Sequence, residues 1–468
     1  MTSAERFDLV VIGGGAAGER GAAQAAYFGK RVAVIERRAD PGGATVHTGT
    51  LPSKTLREAA LFLSGYRQRD LYGVSVEVDP DLEVAQLIAR KDAVRQQETE
   101  RMHRNFARHG IGLVRGRARL AGDATVEVED DDGIRRVFAA EAILIATGSS
   151  PFRPPGIPYE DPDVHDSDSI LEIDRLPATL VVLGGGVVGC EYASMFAALG
   201  TDVHLIERRA PLLPAIDTEI VERMAAGMHD LGVTFHLGER AEIVERRGGR
   251  LSCTMPSGPA IDADKVLVTA GRVGNTADLG LEALGVEMDE RGRIVVDAAF
   301  RSAVPGLYAA GDVIGSPALA SASMEQARVA VCHAFGFPYK QEVSSLIPNG
   351  VYTIPEVSTV GVSEAEAEGR GIDAVVGRAS FGDNARGAII GDRDGMLKLV
   401  FDRATRRLIG CHCVGERASE LVHVGQAVMT LDGTVETFIE MVFNYPSLSE
   451  TYKYAAYDAL GHLGAADV

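Results

Sequence analysis

"FDLVVIGGGAAGERGAAQAAYFGKRVAVIERR" (residues 7–38) is the stretch that decides the fold. Its apolar run over 7–12 is strand-length and lacks polar alternation, so it reads as a parallel strand buried on both faces. Gly13, Gly15 and Gly18 follow in the pattern G-x-G-x-x-G, then an alanine-rich helix, then a second strand over 32–35 ending at Glu36. The whole pattern returns in "ATLVVLGGGVVGCEYASMFAALGTDVHLIERR" (178–209). Here a strand at 180–183 precedes Gly184, Gly186 and Gly189, and a strand at 203–206 ends at Glu207. A lone G-x-G-x-x-G says little. Preceded by a strand, opening a helix and followed at the right distance by an acid, it marks a dinucleotide site. Glycine lets the backbone approach a pyrophosphate, the helix N-terminus meets the phosphate charge, and the acid accepts hydrogen bonds from ribose hydroxyls. The chain therefore carries two such sites.

The rest of the chain fits around this repeat. "EAILIATGSSP" (141–151) reads as a buried strand running into a Gly-Ser turn and a proline-rich linker, which sets the first domain break. "DKVLVTAGR" (264–272) repeats the strand-to-glycine pattern and closes the second nucleotide domain. "GLYAAGDVIG" (306–315) is a strand running into Gly311-Asp312, where an aspartate is well placed to bind a polar cofactor segment. From about 346 the texture becomes that of an α+β module. The arginine pairs at 37–38, 246–247 and 406–407 read as solvated turn residues, the first of them beside a nucleotide site.

Composition narrows the function. At 468 residues the chain has room for about three domains. A net charge of −19 gives nucleic acid no electrostatic footprint. No apolar run is long enough for a membrane span, and the N-terminus has no basic-then-apolar signal region. A cytoplasmic protein is expected. Cys190, Cys253, Cys332, Cys411 and Cys413 are scattered and odd in number, which fits reduced thiols. Cys411 and Cys413 would point the same way on a strand, but no second ligand pair accompanies them, so no metal site is expected.

With GGGAAG, PSK (52–54), ATG (146–148), GGGVVGCE, AGR (270–272) and GD (311–312) in this order, the chain resembles the flavoprotein disulfide reductase family, pyridine nucleotide-disulfide oxidoreductases of class I. The likeness runs over essentially its whole length. It implies an α/β fold with two Rossmann-like dinucleotide-binding domains and a C-terminal α+β dimerisation domain. The expected boundaries are 1–150 (FAD, first part), 151–272 (NAD(P)), 273–345 (FAD, returning part) and 346–468 (dimerisation). The partner implied is a second copy of the chain. The resemblance also implies FAD in the first unit and NAD(H) in the second. Its carried-over cofactor positions are Gly13, Gly15, Gly18, Glu36, Arg37, Gly43, Thr45, Lys54, Ala118, Thr147, Gly148, Gly311, Asp312 and Ala320 for the flavin side. For the nicotinamide side they are Gly184, Gly186, Gly189, Glu207, Arg208 and Gly271. Lys54 and Glu191 match the family's ion pair near flavin N5.

Two departures matter. The family's redox motif is GGxCxxxGCxPSK, and "GGATVHTGTLPSK" (42–54) has Thr45 and Thr50 at both cysteine positions. The family's C-terminal signature carries a histidine before a proline, and "FNYPSLSE" (443–450) has Tyr445 there, with Glu450 retained. A disulfide reductase needs a thiolate to attack and a base to take its proton. Threonine cannot form a disulfide, and an unperturbed tyrosine titrates near pH 10. Both halves of thiol chemistry are missing together.

What remains is nicotinamide and flavin. The strings "HTGTLPSKTLREA", "GCEYASMFAALG" and "VFNYPSLSE" are most similar to those of soluble, FAD-containing NAD(P) transhydrogenases, which implies hydride exchange between NADH and NADP(H) through the flavin. The alternatives are a diaphorase passing electrons to a quinone or another small acceptor, and a flavoprotein that binds NAD(H) without turnover. Glu207 favours NAD(H), since a carboxylate repels the 2′-phosphate of NADP(H). Arg208 and Arg209 either offset that repulsion or are plain solvated residues. Lys54, Glu191, Thr45, Thr50, Tyr445 and Glu450 are the candidate catalytic residues. His47 is either a proton donor to flavin or an ordinary hydrogen-bonded histidine.

Overall fold

The computed structural model describes residues 4–66, 71–72, 84–122 and 124–463. The first three residues of the N-terminal stretch read for a signal lie outside them. The chain divides into two compact units. Unit 1 comprises 1–55, 85–152 and 271–344, and unit 2 comprises 56–84, 153–270 and 345–468.

In unit 1, β1 (Glu5–Ile12) and β2 (Val32–Glu36) are parallel neighbours joined by α1 (Ala16–Tyr27). Two short steps follow, α2 (Gly43–His47) and the start of α3 (Thr50–Leu63), and then the long α4 (Val84–Arg108). Strands β3 (Gly112–Arg115), β4 (Arg117–Gly122), β5 (Thr125–Glu129) and β6 (Arg135–Ile145) complete the order β3-β2-β1-β6-β5-β4, with β17 (Leu307–Ala309) added on β6. A second ribbon pairs β7 (Ser149–Pro151) with β16 (Arg272–Gly274). The uninterrupted apolar run of β1 is explained by burial on both sides. Leu9 and Val11 pack with α1 and α7 (Ala320–Phe335), while Val10 and Ile12 pack in a separate cluster on the opposite face. Each such side chain contributes roughly 1.5–3 kcal/mol relative to exposure. Small residues let α1 sit close to its neighbours. A Cβ on Gly21 would fall 2.6 Å from Leu144 Cδ2.

Unit 2 contains the second copy of the pattern. Strands β8 (Val164–Asp166), β9 (Thr179–Leu183), β10 (Asp202–Glu207), β11 (Val233–Leu237) and β15 (Lys265–Val268) form a parallel sheet ordered β11-β10-β9-β15-β8. Helix α5 (Val187–Ala198) joins β9 to β10, and α6 (Thr218–Asp230) joins β10 to β11. An antiparallel trio, β12 (Ile243–Arg247), β13 (Arg250–Thr254) and β14 (Ile261–Ala263), follows. The last part is a five-stranded antiparallel sheet of β18 (Asn349–Val351), β19 (Val357–Gly361), β20 (Ala374–Ser380), β21 (Met396–Asp402) and β22 (Leu408–Val414). It carries α8 (Glu364–Gly369), α9 (Ala385–Ile390), α10 (Ala418–Thr430), α11 (Val435–Glu440) and α12 (Thr451–Leu463). Helix α12 lies directly on β20, since a Cβ on Gly377 would fall 1.9 Å from Ala455 O. The buried ammonium of Lys398 joins this sheet to α6, pairing with Asp217 (3.0 Å), Glu219 (3.1 Å) and Glu364 (2.8 Å).

One expectation is corrected. Arg246 and Arg247 are strand residues, not turn residues. Arg246 Nη2 contacts Asp161 and Asp163, so two loop carboxylates hold it at the edge of β12. Arg406 does occupy a turn, with φ +59°, and pairs with Glu436. Cys411 and Cys413 share one face of β22, as read, and both are buried. Among the described residues no helix is long and apolar enough to cross a membrane.

Burial holds His47, His165, His236 and His412 below the ordinary histidine value of 6.5. The unfolded chain therefore binds more protons than the folded one just below pH 6.5, and stability falls as pH drops through that range. The melting temperature is expected to decline steadily from pH 7.5 to 5.5. A flat or rising profile would contradict these assignments.

Candidate active site

The three glycines after β1 are required for three different reasons. Gly13 has φ +105°, and a Cβ there would lie 2.4 Å from Ala146 O. Gly15 caps α1 and meets the following turn, with its Cβ position 3.5 Å from Gly43 Cα. Gly18 would drive a Cβ to 1.9 Å from Gly13 O, so only hydrogen lets helix and strand pack this closely. Glu36 ends β2 almost fully buried. Its Oε2 accepts from Gly14 N (2.8 Å) and its Oε1 from Arg38 N (2.9 Å). Arg37 is exposed beside it. Ala118 lies in β4 and packs against the core cluster of the sheet. Gly116 is the residue tied to the end of β2, through its N–H to Glu36 O (2.9 Å).

Three distant segments converge on the other side of this loop. Asp312 Oδ2 accepts from Ser149 Oγ (2.8 Å), and Ser149 Oγ accepts from Arg272 Nε (2.7 Å). Asn275 Nδ2 donates to Thr147 O (2.9 Å), and its backbone N–H donates to Gly148 O (3.0 Å). Gly311 N donates to Gln326 Oε1 in α7, the helix that begins at Ala320 (2.9 Å). Ser149, Arg272, Asn275 and Gln326 were not among the candidate site residues named from sequence. Ser149 directly follows ATG and Arg272 is the arginine of AGR, so motif position was the available signal. The Gly271 carbonyl accepts from Phe152 N (2.9 Å) in the same unit.

Whether a flavin dinucleotide fits here is tested by two observations. The Thr147 hydroxyl is buried with no hydrogen-bond partner, which is costly unless a ligand group meets it. A Cβ on Gly148, at φ +71°, would meet nothing within 4 Å, so the backbone there borders open space. With the glycine loop and Asp312, these residues fit FAD.

The threonine stretch forms two helical steps. Thr45 is half-buried in α2, and Thr50 is exposed at the start of α3. His47 Nε2 lies 3.0 Å from Pro41 O. Since a carbonyl only accepts, Nε2 carries the proton, and His47 closes the 41–47 turn. Lys54 is half-buried, with Nζ 3.4 Å from Ser53 Oγ.

Unit 2 repeats the loop with one instructive difference. Gly184 (φ +114°) would place a Cβ 2.6 Å from Thr269 O, and Gly189 would place one 1.9 Å from Gly184 O. Around Gly186 a Cβ would meet nothing within 4 Å. Glu207 Oε2 accepts from Gly185 N (2.7 Å), and Oε1 accepts from both the backbone N–H and Nε of Arg209 (2.9 and 3.1 Å). Burial alone would raise the Glu207 pKa, but these donors outweigh it and hold the carboxyl below its usual range. Arg209 is thus engaged, though exposed, and Arg208 is exposed beside it. Glu191 is buried in α5 and accepts from Tyr352 N (2.9 Å). Lys54 belongs to unit 1 and Glu191 to unit 2.

At the C-terminal signature, Tyr445 is 75% exposed. Glu450 is held by Asn384 Nδ2 (3.4 Å) and by Tyr454 OH (3.2 Å), whose hydrogen bond to that carboxylate raises the phenol's pKa. A cavity of about 980 Å³ lies beside this segment, lined in part by Arg57, Arg386 and Pro446. No glycine-loop residue lines it. All five cysteines are buried and unpaired. Burial pushes Cys190, Cys253 and Cys411 up to about 12, and raises Cys332 and Cys413 as well. None is a thiolate at neutral pH.

Comparison with known proteins agrees with this geometry. The model of the pyridine nucleotide-disulphide oxidoreductases matches residues 7–327, and that of their dimerisation domain matches 347–456. A protein of Mycobacterium bovis (strain BCG / Pasteur 1173P2) named soluble pyridine nucleotide transhydrogenase is 45% identical over 98% of both chains. A protein of the same name from Pseudomonas putida is 39% identical over 98% of this chain and 99% of its own. Among solved structures, LpdA from Mycobacterium tuberculosis superposes with TM-score 0.89 at 28% identity, covering 97% of this chain and 99% of its own. The HOCl-induced flavoprotein disulfide reductase RclA from Escherichia coli superposes with TM-score 0.87 at 27% identity, covering 96% and 99%.

Proposed function

Because the chain belongs to the pyridine nucleotide-disulphide oxidoreductase family, we propose that it moves hydride between two nicotinamide nucleotides through FAD alone, with no thiol step. The protein is a flavin-dependent NAD(P) oxidoreductase. When bound, FAD supplies a ring that takes hydride from one reduced nicotinamide and yields it to an oxidised one. The observation that carries the reading is the pair Thr45 and Thr50 in a chain whose five thiols are all buried. The relatives named as transhydrogenases support it.

The chain's own residues divide the work. Gly13, Gly15 and Gly18 hold the flavin diphosphate at the start of α1, and Glu36 accepts from the adenosine ribose. Asp312, oriented by Ser149 and Arg272, binds the ribityl hydroxyls. Thr147 meets the cofactor with its hydroxyl. Lys54 places a positive charge near the ring, stabilising negative charge that accumulates on reduction. Thr45 and Thr50 wall the site where the family has sulfur. Gly184, Gly186, Gly189 and Glu207 hold the nicotinamide nucleotide. Glu450, held by Asn384 and Tyr454, is a structural anchor, and exposed Tyr445 faces a second subunit. A homodimer is supported by the dimerisation-domain match. Five unpaired cysteines support a cytoplasmic location.

The test is exchange between NADPH and thio-NAD, followed at the thio-NADH band. Saturable exchange with ping-pong kinetics is expected. Rapid quinone turnover without exchange would favour a diaphorase instead. Flavin that NADH does not bleach would favour a non-turnover binder. The same assay addresses nucleotide choice. Arg209 is occupied by Glu207, so Arg208 is assigned to the 2′-phosphate. Arg208→Ala is expected to raise KM for NADPH about 10-fold more than KM for NADH. Equal effects on both would remove this role.

A further inference from the structure

Glu19 introduces a buried charge that the strand-helix-strand unit does not require. It lies in the first turn of α1, one residue past Gly18, and is 1% exposed. The matching residue in the second copy, one past Gly189, is Cys190. It is neutral, equally buried, and its thiol donates to the Gly185 carbonyl at 3.5 Å. The same turn therefore closes without an acid.

The partners of Glu19 come mainly from α4. Arg101 Nη1 and Nη2 donate to its two oxygens at 3.0 and 3.1 Å, and Asn105 Nδ2 donates to Oε1 at 2.9 Å. Arg20 Nε stands 3.7 Å from Oε2. Arg101 also holds Glu98 at 2.8 Å, and those carboxylates raise the guanidinium pKa further. Two turns of α4 thus clasp the phosphate-binding helix, beside the apolar contacts of Met102 and Phe106.

The first turn of α1 is where a diphosphate would bind, drawn by the helix's positive end and its free N–H groups. An unpaired carboxylate in that turn would oppose the attraction, and in a buried setting it would be weakly screened. We propose that Arg101 is a cofactor-positioning residue, which neutralises Glu19 so that the α1 N-terminus keeps its attraction for the FAD diphosphate while α4 stays docked. This rests on the assignment of FAD to unit 1.

The sign of the charge makes the test selective. Apoprotein is prepared for the parent, Arg101→Gln, Glu19→Gln and the double variant. FAD affinity is then measured by fluorescence quenching, alongside the melting temperature of each apoprotein. Arg101→Gln leaves a buried anion and is expected to weaken FAD binding about 10-fold or more. Glu19→Gln leaves no anion and should bind FAD within about 3-fold of the parent. The double variant should recover most of the loss, a rescue that a merely structural clasp would not give. If Arg101→Gln does not fold, near-parental affinity in Glu19→Gln and in the double variant remains the required result. Equal losses in Glu19→Gln and Arg101→Gln, an unrescued double variant, or parental affinity in Arg101→Gln would each overturn the inference. Parent protein that takes up no FAD would instead overturn the assignment of the cofactor, and this inference with it.

Discussion

The Lys54→Met protein is expected to be reduced by NADH about 10²–10³-fold more slowly than the parent, with FAD still bound. Lys54 sits half-buried in α3, in the turn after Thr50. Methionine keeps the length and the apolar stem but removes the charge, so packing is largely preserved. The loss falls on the hydride step because negative charge builds up on the ring only as hydride arrives. An interaction made only in that step lowers the limiting rate and leaves nucleotide binding unchanged. Stopped-flow bleaching at increasing NADH separates the two. A reduced plateau with an unchanged half-saturation concentration is expected. An unchanged plateau would remove Lys54 from the chemistry.

Gly186→Val is expected to raise the half-saturation concentration for reduction by NADH about 10²-fold or more, while flavin content and fold are unchanged. The argument is geometric. Gly186 has φ −74° and ψ −179°, an extended conformation that valine adopts readily. A Cβ there would meet no protein atom within 4 Å. The side chain would instead fill the space into which a pyrophosphate must come. Gly189→Ala is a different case, since its Cβ would collide with Gly184 O at 1.9 Å and disturb the fold itself. Parental NADH saturation in Gly186→Val would show that the nucleotide does not cross this loop.

Much of this arrangement was legible in the chain because it is local. A strand, a glycine turn, a helix and an acid within one stretch fix the site they build. Glu36 and Glu207 accordingly occupy matching positions, each accepting from a loop glycine and from the residue two further on. What escaped reading is non-local. Ser149, Arg272 and Asp312 lie far apart in sequence and meet only through the β7·β16 ribbon and the end of β17. Arg101 reaches Glu19 from a helix whose own pattern shows only an amphipathic face. Arg246 looked like a turn residue because nothing nearby in sequence reveals that Asp161 and Asp163 approach it. The absent disulfide was the opposite case. Two threonines in one short motif stated it outright, and the burial of every cysteine adds that no other thiol stands ready to replace it.

The central claim is that electrons are stored on flavin and nowhere else. Anaerobic titration of the oxidised holoenzyme with NADH, followed by the visible spectrum, tests this directly. The account predicts complete bleaching at about one equivalent of NADH per FAD, with no long-wavelength thiolate-to-flavin band on the way. Uptake of a second equivalent before the flavin bleaches, or the appearance of that band, would contradict it.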